Sequence, residues 1–180
     1  IIPDLDVTIS DSKIVFKNTT GTFDIADGTS EEVTLKIWLN KSDLIDNSTM
    51  IFEIPTTTHE FSNSIYGSEF AETFATATTS NTQTISVIAT EIRFVTQPSN
   101  YALSFFALDQ QPALQATDDN GNTDRDVNTT VTLSNTGGLT MANNSISFIN
   151  GLAIFSNFMF LSGGDYVRLN ATDGSLSNIA

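Results

Sequence analysis

The sequence of 180 residues contains no cysteine. Disulfide bonds and thiolate chemistry are therefore excluded, as is the cysteine pair that bridges the two sheets of vertebrate immunoglobulin domains. Small secreted eukaryotic domains usually depend on disulfides. The absence of cysteine, in a chain rich in Ser, Thr and Asn, therefore favours a bacterial exported protein with an extracellular or cell-surface location.

Basic residues and histidine are also scarce. Seven Lys and Arg stand against 21 Asp and Glu, which gives a net charge of −14. Such a chain repels phosphate backbones, so we expect no nucleic-acid partner. His59 is the only histidine, and no G-x-S-x-G nucleophile motif is present. Because these residues assemble neither a catalytic triad nor a multi-histidine metal site, we expect a protein that is not an enzyme.

Long apolar runs are missing as well. No stretch approaches the roughly 18 consecutive apolar residues that a membrane-spanning helix needs, so we expect no membrane insertion. The chain opens on Ile1-Ile2-Pro3-Asp4, without a basic and apolar leader. This start indicates a fragment of a longer protein. We therefore expect its partners to include the neighbouring domains of that protein.

Short apolar runs with a period of two are the main positive feature of the sequence. They recur from Pro112 to Gly174, where pairs such as Leu114 and Ala116, or Val131 and Leu133, share one phase. A period of two places each pair on one face of a strand, and the Asn, Gly and Asp residues between the runs favour turns. The pattern predicts an all-β fold of antiparallel strands.

The first half of the chain carries a similar pattern, with one interruption. Residues 31–39 predict a half-buried strand that leaves Trp38 on its polar face. Further along, the alternation changes phase between Ala89 and Arg93, which indicates a β-bulge or a domain boundary. We place a boundary there and predict two domains, residues 1–91 and 92–180, each close to the size of a small β-sandwich.

Four motifs in the second half occur in a recognisable order. They are FVTQP at 94–98, QATDDNGN at 115–122, NGLAIF at 150–155 and the segment from Gly164 to Ala171. Together they resemble the Ig-like repeats of large secreted or surface proteins of bacteria. The resemblance implies an Ig-like β-sandwich for residues 92–180. We therefore predict two tandem Ig-like antiparallel β-sandwich domains, acting as a non-enzymatic structural or adhesion module, either a rigid spacer or a presenting domain.

Tyr166 departs from the pattern of these repeats. In the family the corresponding Tyr and the following Leu share a face, whereas Val167 and Arg168 put Tyr166 and Leu169 on opposite faces. Either a bulge restores the register, or Tyr166 is not the conserved corner tyrosine of the fold.

One polar cluster has the spacing of a calcium site. Asp118, Asn120, Asn122 and Asp124 recur at every second residue, and oxygen ligands at this spacing can surround Ca²⁺. The pattern differs from an EF-hand loop, because Gly121 is not at the sixth position and no Glu occupies the twelfth. The alternative interpretation is a turn, in which the Asn and Asp side chains accept hydrogen bonds from backbone amides.

The aromatic residues raise a second functional hypothesis. Sugar-binding sandwiches present exposed rings that stack on sugars, and Trp38 is the first candidate, followed by Tyr66, Tyr101 and Tyr166. The alternative function is therefore a carbohydrate-binding accessory module of a polysaccharide-degrading enzyme, with surface glycans or polysaccharide as partners. Calcium-dependent adhesion through residues 118–124 is a third hypothesis.

Overall fold

The structure is a computed structural model, and it describes residues 7–10, 13–16, 29, 32, 34, 36–56 and 76–178. In these residues all regular secondary structure is β-strand, and every sheet is built from antiparallel pairs. The predicted all-β class is therefore confirmed. Within this part of the chain, no helix has the length and apolar character required to cross a membrane.

The strands are short, and we number them in chain order. They are β1 (Val7–Ile9), β2 (Ile14–Phe16), β3 (Thr49–Met50), β4 (Glu53–Ile54), β5 (Thr78–Thr79), β6 (Gln83–Thr84), β7 (Glu91–Thr96), β8 (Ala113–Thr117), β9 (Thr130–Asn135), β10 (Met141–Ala142), β11 (Ser145–Ser147), β12 (Leu152–Ile154), β13 (Met159–Phe160) and β14 (Leu169–Thr172).

Contacts between Cα atoms divide the chain into two compact units. The first unit comprises Ile1–Trp38 and Thr57–Phe74, and its described residues contain the pair β1 and β2. The second unit comprises Leu39–Thr56 and Ala75–Ala180. The division into folding domains at residue 91 stays a prediction.

Two three-stranded sheets form the centre of the second unit. One has the order β12-β8-β7 and the other the order β11-β9-β14. The inward residues of both sheets, among them Ile92 and Leu114 from the first and Val131 and Leu133 from the second, belong to one buried cluster. Burial of such side chains stabilises the fold by about 25 cal/mol for each Å² of apolar surface removed from water.

The alternation in the sequence explains which residues enter this core. Leu114 and Ala116 in β8 are fully buried, while Gln115 between them is only partly buried. In β9 the buried Val131 and Leu133 alternate with exposed neighbours. β9 thus takes the faces that the period of two predicts, whereas in β8 the flanking Ala113 and Thr117 are buried as well.

The change of phase that the sequence places between Ala89 and Arg93 falls at the start of β7, where Glu91 and Ile92 are both buried. β7 pairs with β8, with Ile92 opposite Ala116. A separate shift of register, the geometry of a β-bulge, lies further along, between Phe94 and Thr96.

One prediction from the sequence is corrected. Residues 32, 34 and 36–39 form no strand, although residues 31–39 alternate in hydrophobicity. Ile37 and Leu39, expected to be buried, are exposed, because alternation needs a paired partner strand and none of the described residues pairs with this segment. Tyr166 has a positive φ of 31° and is fully exposed, which agrees with the second of the two alternatives from the sequence, that it is not the corner tyrosine.

Candidate functional site

The polar segment that the sequence singled out is a compact turn after β8. Both the Asn120 amide and the Asn122 amide donate to Asp118 Oδ1, at 3.0 and 2.8 Å. The Gly121 amide donates to the Asp118 carbonyl at 3.0 Å, and Gly121 has a φ of +84°, which favours glycine. The turn interpretation therefore accounts for the spacing of these side chains.

Asn122 connects this turn to a distant part of the second unit. Its side chain is 4% exposed, and its Nδ2 donates to Asp118 Oδ2 at 2.8 Å and to the Lys41 carbonyl at 2.7 Å. Its Oδ1 accepts a hydrogen bond from the Leu44 amide at 2.9 Å. One buried amide group thus holds the 118–122 turn against residues 41–44.

Asp124 makes a second connection of the same kind. Its Oδ2 accepts from the Ala89 amide at 2.9 Å, and its Oδ1 accepts from the Asp126 amide at 3.0 Å. The carboxylate is 8% exposed. A buried carboxylate needs compensating hydrogen bonds, and backbone amides supply them here.

Asp46, which the sequence analysis passed over, is the most buried carboxylate of the cluster, at 2% exposure. Its Oδ1 accepts from the Val87 amide at 2.7 Å, and its Oδ2 accepts from the Arg125 amide at 2.8 Å. Asp46 lies in a polar stretch with no periodic signal, so its role depends on residues about 40 and 80 positions away that no local pattern identifies.

Three carboxylates meet at this point. Oxygen atoms of Asp46, Asp124 and Asp126 all lie within 4.8 Å of one another. Asn47 Nδ2 donates to Asp126 Oδ1 at 2.8 Å, which partly offsets the repulsion between the charges. Of the two carboxylates among the ligands that the sequence predicted, Asp124 belongs to this group and Asp118 does not.

The hydrogen bonds of the turn change the acidity of Asp118. Desolvation acts to raise its pKa, but the hydrogen bonds from Asn122 and Asn120 outweigh it, so that the pKa lies below its ordinary value. A carboxylate that accepts several backbone amides is held in its charged form. Binding of calcium by Asp118, Asn120, Asn122 and Asp124 stays a prediction.

An open groove of about 800 Å³ lies beside the carboxylate group. Leu44, Ile45 and Ile149 are apolar residues of its lining, and Asp46, Arg125 and Asp126 are charged residues of both signs.

None of the described aromatic candidates belongs to the carboxylate group or to the lining of the groove. Trp38 is 82% exposed and lies in the first unit. Tyr101 is exposed, and its hydroxyl donates to Asp109 Oδ2 at 3.0 Å; this hydrogen bond and the charge of Asp109 raise the pKa of Tyr101. Tyr66 and His59 fall outside the residues that the structure describes.

Comparison with known proteins identifies no relative. No family model, no curated protein and no solved structure matches the chain. The resemblance to bacterial Ig-like repeats therefore depends on the motifs of residues 92–180 alone.

Proposed function

We propose that this chain is a non-enzymatic structural or adhesion module of a bacterial exported or cell-surface protein. In this proposal the chain holds two tandem Ig-like β-sandwich domains, divided near residue 91, and acts as a rigid spacer or presenting domain between neighbouring domains of a longer protein.

The observation that carries the proposal is the use of the buried polar groups. Asp46 and Asp124 each accept two backbone amide hydrogen bonds, and the Asn122 side chain adds two hydrogen bonds to residues 41–44 and one to Asp118 within its own turn. Polar side chains that are committed to backbone amides in this way hold loops in place. A cluster of this kind suits a module whose work is to keep its shape.

The order and pairing of the strands also support the Ig-like part of the proposal. Two antiparallel sheets contribute to one core, and the last described residues return to the first strand of this half, where Ile92 and Asn178 form a parallel bridge. A sandwich whose first and last strands meet at one side has this arrangement.

The rigidity of the second unit gives a direct test. Amide ¹⁵N relaxation should yield order parameters of about 0.85 for residues 41–47, 85–89 and 118–126, equal to those of the β8 and β9 strands. Order parameters below about 0.6 in these three segments would contradict the proposal. Segments that move this much cannot hold a spacer in a fixed shape.

A second function is favoured by the exposure of Trp38. Its indole ring is 82% exposed and so is accessible to a ligand. Carbohydrate binding by an accessory module of a polysaccharide-degrading enzyme would use this ring for stacking. A glycan array on the whole chain and on Trp38→Ala tests it: signals lost in the variant support sugar binding, and an array without signals supports the spacer.

A further inference from the structure

The sequence contains several N-x-S/T triplets, the motif that oligosaccharyltransferases read when they attach a glycan to asparagine. The triplets begin at Asn18, Asn40, Asn47, Asn128, Asn143 and Asn170. A chain this rich in Asn, Ser and Thr forms such triplets by composition alone, so the motif by itself identifies no site. Asn18 lies outside the residues that the structure describes, and the others differ in how the fold holds them.

All three residues of an acceptor triplet have to be accessible at once. The transferase reads the carboxamide of the asparagine and the hydroxyl two residues later within one short segment. A triplet that ends inside a β-strand, or whose side chains are hydrogen-bonded within the fold, can be read only after that part of the structure opens.

Two of the triplets use the asparagine side chain itself within the fold. Asn47 Nδ2 donates to Asp126 Oδ1 at 2.8 Å, and Asn143 Nδ2 donates to a backbone carbonyl at 2.9 Å. The residues that carry their hydroxyls, Thr49 and Ser145, are the first residues of β3 and β11. Neither triplet therefore presents both groups in the folded state.

In two further triplets the hydroxyl belongs to a strand. Thr130, which completes the triplet of Asn128, is the first residue of β9, and its Oγ1 lies 3.1 Å from Ser147 Oγ. Asn170 lies inside β14, and the hydroxyl of its triplet, Thr172 Oγ1, donates to a backbone carbonyl at 2.7 Å. Both asparagines are exposed, but their triplets are held in the sheet.

The triplet Asn40-Lys41-Ser42 differs from these four. All three residues are exposed, and they belong to no strand. Neither the Asn40 carboxamide nor the Ser42 hydroxyl hydrogen-bonds to any residue that the structure describes. The Lys41 carbonyl accepts from Asn122 Nδ2 at 2.7 Å. This bond holds the loop at its centre and leaves both side chains that a transferase reads without a competing partner.

We propose that Asn40 is an acceptor for asparagine-linked glycosylation. The co-substrate is an oligosaccharide carried on a lipid pyrophosphate. Asn40 Nδ2 forms a bond to the anomeric carbon of the first sugar, the bond from that carbon to the pyrophosphate oxygen breaks, and the nitrogen loses one proton as the lipid pyrophosphate leaves. This inference goes beyond the spacer function, but it rests on the exported location in the proposed function, because such glycans are found on the surface loops of secreted proteins.

The experiment offers the unmodified folded chain to a purified oligosaccharyltransferase together with its lipid-linked donor. Glycopeptide mass spectrometry measures the initial rate at each triplet, and each rate is divided by that of a short peptide with the same triplet. We expect the normalised rate at Asn40 to exceed those at the other described triplets by about tenfold or more, because the others react only after local opening.

Two substitutions at Ser42 serve as matched variants. Ser42→Ala removes the hydroxyl and should abolish modification of Asn40, whereas Ser42→Thr keeps a hydroxyl and should preserve it. Ser42 is exposed in a loop, so both variants should keep the melting temperature of the wild type.

Three results would overturn the proposal. They are no modification of Asn40 in the folded chain, a normalised rate at any other described triplet that equals the rate at Asn40, and modification of Asn40 that persists in Ser42→Ala. Because the reaction is carried out with purified components, none of these results depends on export or on the spacer function. The proposed function fails separately, through low order parameters in the second unit.

Discussion

The carboxylate of Asp46 accepts a hydrogen bond from the backbone amide of Arg125, 79 residues further along the chain, at 2.8 Å. Its second oxygen accepts from the Val87 amide at 2.7 Å. One buried side chain thus joins three segments of the second unit. Together with Asn122 and Asp124, it holds residues 41–46, 87–89 and 118–126 to one another, and we call these three side chains the brace.

Replacement of the Asp46 carboxylate tests the brace itself. Asp46→Asn keeps the shape of the side chain but points an amide group at a backbone N–H that needs an acceptor. We expect a loss of about 2–3 kcal/mol in the free energy of unfolding, measured in guanidinium chloride. Asp43→Asn is the matched control, because Asp43 is exposed at a φ of 62° that Asn tolerates, and it should change stability by less than about 0.5 kcal/mol. Equal effects of the two substitutions would contradict the account.

Alanine substitutions at two glycines distinguish the cost of a steric overlap from the cost of a strained backbone conformation. Gly151 and Gly138 both have positive φ, at 73° and 64°. A Cβ at Gly151 would overlap the carbonyl oxygen of Asp124, whereas a Cβ at Gly138 would meet nothing within 4 Å. In thermal unfolding, Gly138→Ala should cost about 1 kcal/mol from the backbone conformation, and Gly151→Ala about 3 kcal/mol or more. Similar losses of stability in the two variants would show that residue 151 does not lie close to the Asp124 carbonyl.

Stability should fall in acid in part because of Asp173. Partial burial acts to raise its pKa, but the Thr129 hydroxyl and the amides of Leu176 and Ser175 donate to the carboxylate and outweigh this effect. The pKa of Asp173 in the folded state is therefore below the ordinary value of about 4. Its contribution is fully present above that ordinary value and is lost as the pH falls through the folded pKa.

The hydroxyl of Thr129 provides the test of this pH dependence. Thr129→Ala removes the donor to Asp173 at 2.6 Å, so the free energy of unfolding should decline less steeply from about pH 4 downwards. Thr130→Ala is the control, because Thr130 is exposed and contacts Ser147 instead. A slope that is the same in Thr129→Ala and in the wild type would argue against this role of Asp173.

Calcium binding is tested by melting the whole chain with chelator and with added calcium. Both oxygens of Asp46 and of Asp124 already accept backbone amides, so we expect the melting temperature to stay the same. A ligand that binds the native state must raise it. An increase that Asp118→Asn abolishes would instead establish the ligand set of the sequence, and an increase that Asp126→Asn abolishes would establish the three-carboxylate group.

Local patterns in the sequence predicted the strands of residues 91–172 well, for a physical reason. In β9 and β14 one face meets the core and the other does not, so hydrophobicity alternates along each strand. The turn at Asp118 is equally local, since its hydrogen bonds lie within four residues.

The same reasoning missed what depends on distant residues. The segment at 36–39 alternates like a strand but has no strand partner among the described residues. Asp46 shows no pattern at all, because its partners Val87 and Arg125 come close only when the second unit has folded. The spacing in the sequence placed Asp118 and Asp124 in one ligand set. In the structure Asp124 lies with Asp46 and Asp126, and the sequence did not indicate this group.

Hydrogen exchange at four backbone amides tests the brace most directly. The amides of Val87, Ala89, Arg125 and Asp126 donate to the two buried carboxylates. We expect these four amides to exchange as slowly as the hydrogen-bonded amides of β8. In Asp46→Asn, exchange should become faster, and the increase should be largest at Val87 and Arg125, whose amides donate to Asp46. Exchange at the rate of an exposed loop in the wild-type protein would contradict the account.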